Sequence, residues 1–152
     1  MHEGGCLCGH VRYRFIAQPI FVNCCHCRDC QKLTGSAFAI NAMIEADRVD
    51  VTSDGRTVTA GDVDKAMRCP KCKTLLWATH RLFGDAILFL RAGTLDRAEL
   101  IEPDAHFFVS RSHRWIVLPA GVPAFAELPG PDDPSLMSGE SRRRLAAAMG
   151  RG

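Results

Sequence analysis

The residues best suited to chemistry in this sequence are its eight cysteines. They occur as CLC near the start, as CCHCRDC from Cys24 to Cys30, and as CPKC from Cys69. Close-spaced cysteines in a protein under reducing conditions bind metal or act in catalysis more often than they form disulfides. How the eight cysteines divide among sites therefore decides which chemistry is expected.

Two of the cysteine pairs are suited to share one ion. Cys6 and Cys8 would point to the same face of an extended segment, about 7 Å apart along the strand. Cys69 and Cys72 have the two-residue spacing of a zinc knuckle. Four thiolates at about 2.3 Å suit tetrahedral zinc, and iron is the chemical alternative for an all-sulfur site. We predict one structural zinc site that joins distant strands.

The middle cluster offers two sets of three thiolates, because either Cys25 or Cys24 can join Cys27 and Cys30. Cys24 and Cys25 are adjacent, so their side chains point to opposite faces of an extended backbone and should not share an ion. His26 should point away from whatever Cys25 and Cys27 share, and a packed or hydrogen-bonded loop histidine is expected there. The spacing therefore favours a site with three protein ligands.

Three protein ligands on zinc leave a fourth position for water or substrate, as in catalytic sites. Zinc in such a site lowers the pKa of a coordinated thiol or water and polarises a carbonyl oxygen. The expected reaction class combines a thiol with an aldehyde.

Length and composition indicate one ordinary globular domain. The chain has 152 residues, 47% of them apolar and 24% charged, and no apolar run approaches the roughly 20 residues of a bilayer span. The N-terminus MHEGGCLCGH lacks the features of a secretory signal, so a cytoplasmic protein is expected. A formal net charge of +2 does not call for a nucleic-acid partner.

Alternating and β-branched segments predict a mainly β body. The expected strands are HVRYRFI, SAFAINAMI, DRVDVTS, TLLWATH, AILFLRA, HFFVS and RWIVL. A helical turn is expected at RDCQKLTG, ended by Gly35 in a left-handed conformation, and a further helix near residues 139–149. We predict a folded domain over residues 3–128, followed by a Pro-rich extension and basic tail over 129–152. The basic run is expected to be a solvated tail or frayed helix.

The order of several motifs identifies a family. GGCLCGHVRY, CHCRDCQKLTGSAF, RCPKCKTLLW, RAGTLD and EPDAHFF…SRSHRW occur in the order found in the glutathione-dependent formaldehyde-activating enzymes, which are grouped with centromere protein V. The sequence resembles that family from about residue 3 to residue 128.

The resemblance implies a single-domain β-tent fold with two zinc ions per chain. A structural zinc would be held by Cys6, Cys8, Cys69 and Cys72, and an open-site zinc by Cys25, Cys27 and Cys30, which are then the catalytic residues. The implied activity is that of a carbon–sulfur lyase, which adds formaldehyde to glutathione to give S-hydroxymethylglutathione and catalyses the reverse. The partners would be a small-molecule thiol and an aldehyde.

The sequence departs from the family at three positions. Lys73 stands where glycine usually follows the knuckle, Leu75 where proline is common, and Cys24 where histidine or an apolar residue is more usual. Cys24 is open as an alternative ligand or redox partner. His106 and Trp115 could line the pocket, although a hydrogen-bonded histidine and a packed tryptophan are expected. The alternative function is a non-catalytic, zinc-stabilised binding module.

Overall fold

Short strands joined by turns and 3-10 helices form two β-sheets in the computed structural model. The structure describes residues 1–53, 58–60, 66–130, 133 and 136–150. The strands are β1 His2–Gly5, β2 Arg12–Phe15, β3 Phe21–Cys25, β4 Ala39–Glu45, β5 Val49–Val51, β6 Val58–Ala60, β7 Ala66–Arg68, β8 Leu75–His80, β9 Gly84–Arg91 and β10 Ala105–Phe107. The helices are α1 Arg28–Thr34 and α2 Gly139–Ala148, with 3-10 turns at Ala46–Arg48, Ala92–Thr94, Ala98–Leu100 and Val109–Arg111.

The larger sheet has seven strands in the order β10-β3-β4-β9-β8-β7-β6, and the smaller has three in the order β1-β2-β5. Neighbouring strands are antiparallel except for β10, which runs parallel to β3. The mainly β, single-domain architecture confirms the expected fold class. Among the described residues, no helix has the length and apolar character needed to cross a bilayer.

The main core lies between the two sheets. Tyr13 and Phe15 of the small sheet pack with Ala42, Ile44 and Leu90 of the large one. Since side chains alternate along a strand, these residues mark one face of the large sheet. The same face carries Cys24 further along β3.

A second core covers the opposite face. Phe21, Met43 and Ile87 from neighbouring strands form this cluster, and Leu145 of α2 packs against it. Both faces of the large sheet are therefore covered at its centre, and all five residues of β3 are buried.

The C-terminal helix contacts the body through an ion pair as well as apolar side chains. Arg144 on α2 donates to both carboxylate oxygens of Glu45, at 2.8 and 2.6 Å, and to the backbone oxygen of Gln18 at 2.9 Å. The helix predicted near residues 139–149 is present, but it packs on the sheet, whereas a solvated or frayed tail was expected. Residues 131, 132, 134, 135, 151 and 152 of the expected extension and tail lie outside the described part of the chain.

Two differences from the expected strands have simple causes. The segment RWIVL is not a strand, and Trp115 and Val117 are 72% and 90% exposed, so its apolar residues do not fill the core. β3 was not predicted because its sequence FVNCC is buried on both faces and shows no alternation.

Candidate metal centres and active site

Two turns that are about 60 positions apart in sequence bring together Cys6, Cys8, Cys69 and Cys72. All four sulfur atoms lie within 4.8 Å of one another, with 3.6 Å between Cys6 and Cys8 and 3.8 Å between Cys8 and Cys69. Four thiolates around zinc at about 2.3 Å would be separated by roughly 3.8 Å. The donor set and its spacing fit a closed tetrahedral site.

The backbone reaches this arrangement differently from what the spacing suggested. Cys6 follows directly after β1, and Leu7 and Cys8 form a turn, so the pair is not in an extended segment. The backbone N–H of Cys6 donates to the Val11 oxygen at 3.0 Å, which closes the turn. The turn brings the sulfur atoms of Cys6 and Cys8 to 3.6 Å from each other, whereas an extended strand would hold the two residues about 7 Å apart.

The CPKC turn favours an ionised thiol. The Thr74 hydroxyl lies 3.1 Å from the Cys72 sulfur, and this hydrogen bond is the main reason that the pKa of Cys72 falls to about 5. The next residue, Lys73, has a φ of 62°. Only glycine adopts this left-handed conformation without strain, which gives a physical reason for the glycine usual at that position.

A second group of three sulfur atoms lies where β3 passes into α1. The Sγ atoms of Cys25, Cys27 and Cys30 are within 4.8 Å of one another. Cys25 is buried at the end of β3, and Cys27 and Cys30 are partly exposed. Three converging thiolates with one side accessible fit an ion that keeps a free coordination position.

Local hydrogen bonds hold this second group in place. Cys27 is the N-cap of α1, and its sulfur accepts from the Cys30 backbone N–H at 3.3 Å. Gln31 is buried and donates through Nε2 to the backbone oxygens of His26 and Arg111, at 2.7 and 3.0 Å. Gly35 ends the helix with a φ of 62°, as predicted. One short helix thus fixes two of the three sulfur positions.

A row of polar side chains runs across the sheet to the same site. Asn23, Asn41 and Arg91 face one another on β3, β4 and β9. Asn41 donates to the Asn23 side-chain oxygen at 3.0 Å and accepts from Arg91. Since Cys25 shares their sheet face, the row leads from the middle of the sheet to the three-sulfur group.

Arg91 brings a positive charge to that group. Hydrogen bonds from Cys25 and Cys27, together with the neighbouring Arg91 guanidinium, lower the pKa of Cys30 to about 6, against the opposing effect of burial. The pKa of Cys25 is raised, chiefly because its thiol donates to Cys30. The neighbouring thiols and Arg91 therefore favour the ionised form of Cys30.

A cavity of about 350 Å³ opens beside Arg91. Its lining includes Leu33, Thr34 and Phe38 near α1, and Arg91 and Thr94 on the facing side. A mainly apolar wall with a few polar groups is typical of small-molecule pockets. Arg91 is the residue that this cavity shares with the surroundings of Cys30.

A third donor group consists of Cys24, His26 and His106. All three are buried, and their donor atoms lie within 4.8 Å of one another. His26 Nε2 is 3.0 Å from His106 Nδ1 and 3.6 Å from the Cys24 sulfur. His26 therefore points away from Cys25 and Cys27 and is hydrogen-bonded, as expected.

Burial controls the protonation of this third group. It is the main reason that the pKa values of His26 and His106 are lowered, and that the pKa of Cys24 rises to about 12. Without a bound cation, both imidazoles and the thiol are neutral at pH 7.

The sequence reasoning did not identify Arg91 as a site residue. Arg91 is the first residue of the RAGTLD motif. A permanently charged residue in a motif of the family could have indicated a role in the site. Asn23 and Asn41 carried no such signal, because their role depends on strand register. Asp29, which is near the cysteines in the chain, is exposed on α1. Trp115 is also exposed and does not pack as expected.

Known proteins with similar sequences support one family. The family model described as "Glutathione-dependent formaldehyde-activating enzyme" matches residues 1–111. A curated Halomonas elongata protein, provisionally named a glutathione-dependent formaldehyde-activating enzyme, is 32% identical, with 49% of this chain and 54% of that protein covered. The chain thus spans about half the length of that relative.

A crystal structure of a Rhodobacter sphaeroides protein is similar at 18% identity and a TM-score of 0.49, covering 66% of this chain and 96% of that one. The family match extends over most of the chain and includes all eight cysteines. The chain belongs to the glutathione-dependent formaldehyde-activating enzyme family.

Proposed function

We propose that the protein is a zinc-dependent carbon–sulfur lyase that joins formaldehyde, or a related aldehyde, to glutathione or a similar thiol. The observation that supports this most strongly is the group formed by Cys25, Cys27 and Cys30, accessible on one side and next to Arg91. Membership of the family supplies the substrate class. The activity of the Halomonas relative is proposed for this chain on the same basis.

Two zinc ions would have different roles. Cys6, Cys8, Cys69 and Cys72 would hold a structural ion, and Cys25, Cys27 and Cys30 an ion with one free position. Zinc bound by the three-cysteine group would act as a Lewis acid that keeps a substrate thiol ionised or polarises the aldehyde oxygen. Each donor set supplies the soft thiolates that zinc prefers.

The reaction is an addition without a change of oxidation state. The glutathione sulfur forms a bond to the carbonyl carbon, the C=O π bond breaks, and the thiol proton ends on the new hydroxyl oxygen. Negative charge moves from sulfur to oxygen during this step. The Arg91 guanidinium beside Cys30 would stabilise that charge, because it lies in a partly buried site where screening by water is reduced.

The pocket residues would orient the thiol. Phe38 and Leu33 offer an apolar wall, and Arg91 and Thr94 offer polar contacts for a small peptide with carboxylates. Asn41 accepts from Arg91 and so holds the guanidinium toward the site. These residues are proposed to position the substrate while the cysteines hold the ion.

Two further assignments are part of the proposal. Residues 3–128 are proposed as the zinc-binding domain, with 129–152 as its extension. The cytoplasm is the proposed compartment, because thiolates must stay reduced to bind zinc.

The test compares Cys27→Ala and Asp29→Asn with the wild type. Each protein is mixed with glutathione and ¹³C-formaldehyde, and formation of S-hydroxymethylglutathione is followed by NMR above the uncatalysed rate. Wild type and Asp29→Asn should accelerate the reaction equally, because Asp29 is exposed and outside the site. Cys27→Ala should lose the acceleration while keeping its circular dichroism spectrum.

Two outcomes would contradict the proposal. If the wild type gives only the uncatalysed rate with the two thiolate sites loaded with zinc, the binding module becomes the better description. If Cys27→Ala retains full acceleration, the three-cysteine group is not the catalytic site.

A further inference from the structure

We propose that Cys24, His26 and His106 form a third metal site, which binds zinc on the sheet face opposite to the three-cysteine group. The site is separate from the proposed lyase site, although the ligands of the two sites alternate along residues 24–27. Three observations support it: the spacing of the donor atoms, their burial beside a cavity, and the charge of that cavity.

The donor atoms have the separations of ligands on one ion. Zinc bonds of about 2.0–2.1 Å to nitrogen and 2.3 Å to sulfur give tetrahedral ligand separations of roughly 3.3 Å between nitrogens and 3.6 Å between nitrogen and sulfur. The observed distances are 3.0 Å between the His26 and His106 nitrogens and 3.6 Å between Cys24 Sγ and His26 Nε2. The third pair, the Cys24 sulfur and the His106 donor nitrogen, is within 4.8 Å.

The three side chains come together because of strand register. Cys24 and His106 lie side by side on parallel strands β3 and β10, so both point to the same face. His26 comes two residues after Cys24, and its backbone N–H donates to the Phe107 oxygen at 2.9 Å. The backbone therefore fixes all three donors relative to one another without a bound ion.

The histidine pair is incompletely satisfied as it stands. One ring-to-ring hydrogen bond joins the rings, while His26 Nδ1 and His106 Nε2 are buried without a hydrogen-bond partner among the described residues. These two atoms are not the proposed donors, and they would carry the ring protons when His26 Nε2 and His106 Nδ1 bind an ion. A divalent ion would take a lone pair from each ring, in place of the single hydrogen bond between them.

The group faces a cavity of about 460 Å³. Cys24, His26 and His106 lie in its wall, and the rest is largely apolar, with Ile116 and Val122 among the lining residues. Glu102 is the charged residue among the described residues of this lining. An ionised Cys24 together with Glu102 would balance the charge of a dication.

The set of one sulfur and two nitrogens is suited to zinc and leaves a fourth position toward the cavity. The site would also have a structural consequence. β10 is joined to β3 by only three residue pairs, and a shared ion would strengthen that junction. Adjacent residues Cys24 and Cys25 would then bind different ions on opposite faces of one strand.

The test counts metal equivalents. Purified protein is loaded with zinc, dialysed, and measured by elemental analysis for the wild type, His106→Gln, Cys24→Ser and Cys27→Ser. Wild type should retain three equivalents, each single variant two, and the double variant Cys27→Ser/His106→Gln one. His80→Gln, a half-buried histidine outside every donor group, is the matched control and should retain three.

A spectroscopic measurement keeps the test decisive if a variant fails to fold. ¹¹³Cd NMR of the cadmium-loaded wild type separates four-sulfur, three-sulfur and one-sulfur two-nitrogen environments by chemical shift. A resonance from the mixed environment, lost in His106→Gln and retained in His80→Gln, supports the site. Absence of that resonance from the wild type, or a third zinc equivalent that survives in His106→Gln, overturns it.

Discussion

Cys24 and Cys25 are adjacent on β3, yet their sulfur atoms belong to different donor groups on opposite faces of the sheet. The cause is the two-residue alternation of an extended strand, which sends consecutive side chains in opposite directions. Cys25 is directed toward α1 and Arg91, and Cys24 toward His26 and His106. The strand therefore separates two kinds of site that the sequence presents as one cluster.

The four-cysteine group should dominate stability. Cys69→Ala removes a ligand from a closed site that joins segments over 60 residues apart, and metal binding at such sites is coupled to folding. We expect the variant to lose several kcal/mol of unfolding free energy, on the order of 3 or more, or to become insoluble. The measurement compares the melting temperatures of Cys69→Ala and Cys27→Ala.

Cys27→Ala provides the contrast, because its group closes only a short local loop. It should melt within a few degrees of the wild type. An equally severe loss of stability in both variants would mean that the three-cysteine group is structural.

Arg91 should contribute to the reaction more than to the fold. Arg91→Gln removes the positive charge beside Cys30 but retains a side chain able to donate to Asn41. We expect kcat/KM for glutathione to fall about tenfold, which corresponds to the roughly 1.5 kcal/mol of a charge-assisted hydrogen bond. The measurement is steady-state kinetics, with Arg97→Gln, which breaks an exposed pair with Glu99, as the control. Equal kinetics for Arg91→Gln and wild type would remove Arg91 from the site.

Lys73 is held in a conformation that suits glycine. Lys73→Gly should relieve strain at φ 62° and stabilise the protein by up to about 1 kcal/mol. Lys71→Gly, in the same turn without a positive φ, should instead destabilise it slightly, since glycine adds freedom to the unfolded chain. Thermal melts of the two variants in zinc-loaded form test this, and the opposite order would contradict it.

The ion pair between Glu45 and Arg144 should make stability depend on pH. Burial alone would raise the pKa of Glu45, but the Arg144 hydrogen bonds and the charges of Arg144 and Arg48 lower it below its usual value. The stabilisation is therefore complete above the unfolded pKa of about 4.3 and is lost as pH falls through the lower folded pKa.

Arg144→Gln should cost about 2 kcal/mol at pH 7 and much less near pH 3. Denaturant unfolding at both pH values measures the difference. Arg142→Gln on the same helix is the control, because Arg142 is not part of this pair. A pH-independent loss would assign the effect of Arg144 to packing.

The cysteine spacing was informative because metal ligands in turns are close in sequence. The sulfur atoms of CLC and CPKC lie together in the structure, and so do those of Cys25, Cys27 and Cys30. Arg91 and His106 could not be assigned in the same way, because strand pairing places them. Arg91 pairs with Asn41, 50 positions earlier, and His106 pairs with Cys24, 82 positions earlier. Residue spacing reveals local geometry, whereas register across a sheet is set by tertiary packing.

The segment RWIVL illustrates the opposite error. Its composition favours a strand, but the outer edge of β10 is already hydrogen-bonded by residues 123–125, which pair with His106. Ile116 and Val117 instead line the cavity beside Cys24. β propensity describes how a residue fits a half-buried surface and does not determine which segments find one.

The parallel pairing of β10 with β3 also has a consequence for the order of folding. Ala105 pairs with Asn23, 82 positions earlier, whereas β8 and β9 are neighbours in both sequence and space. Closing a long loop is entropically costly and slows folding, so the β8–β9 hairpin should form early and the β3–β10 junction late. During synthesis, β3 must wait for β10 to be translated, and until then its edge is exposed to pairing with other chains.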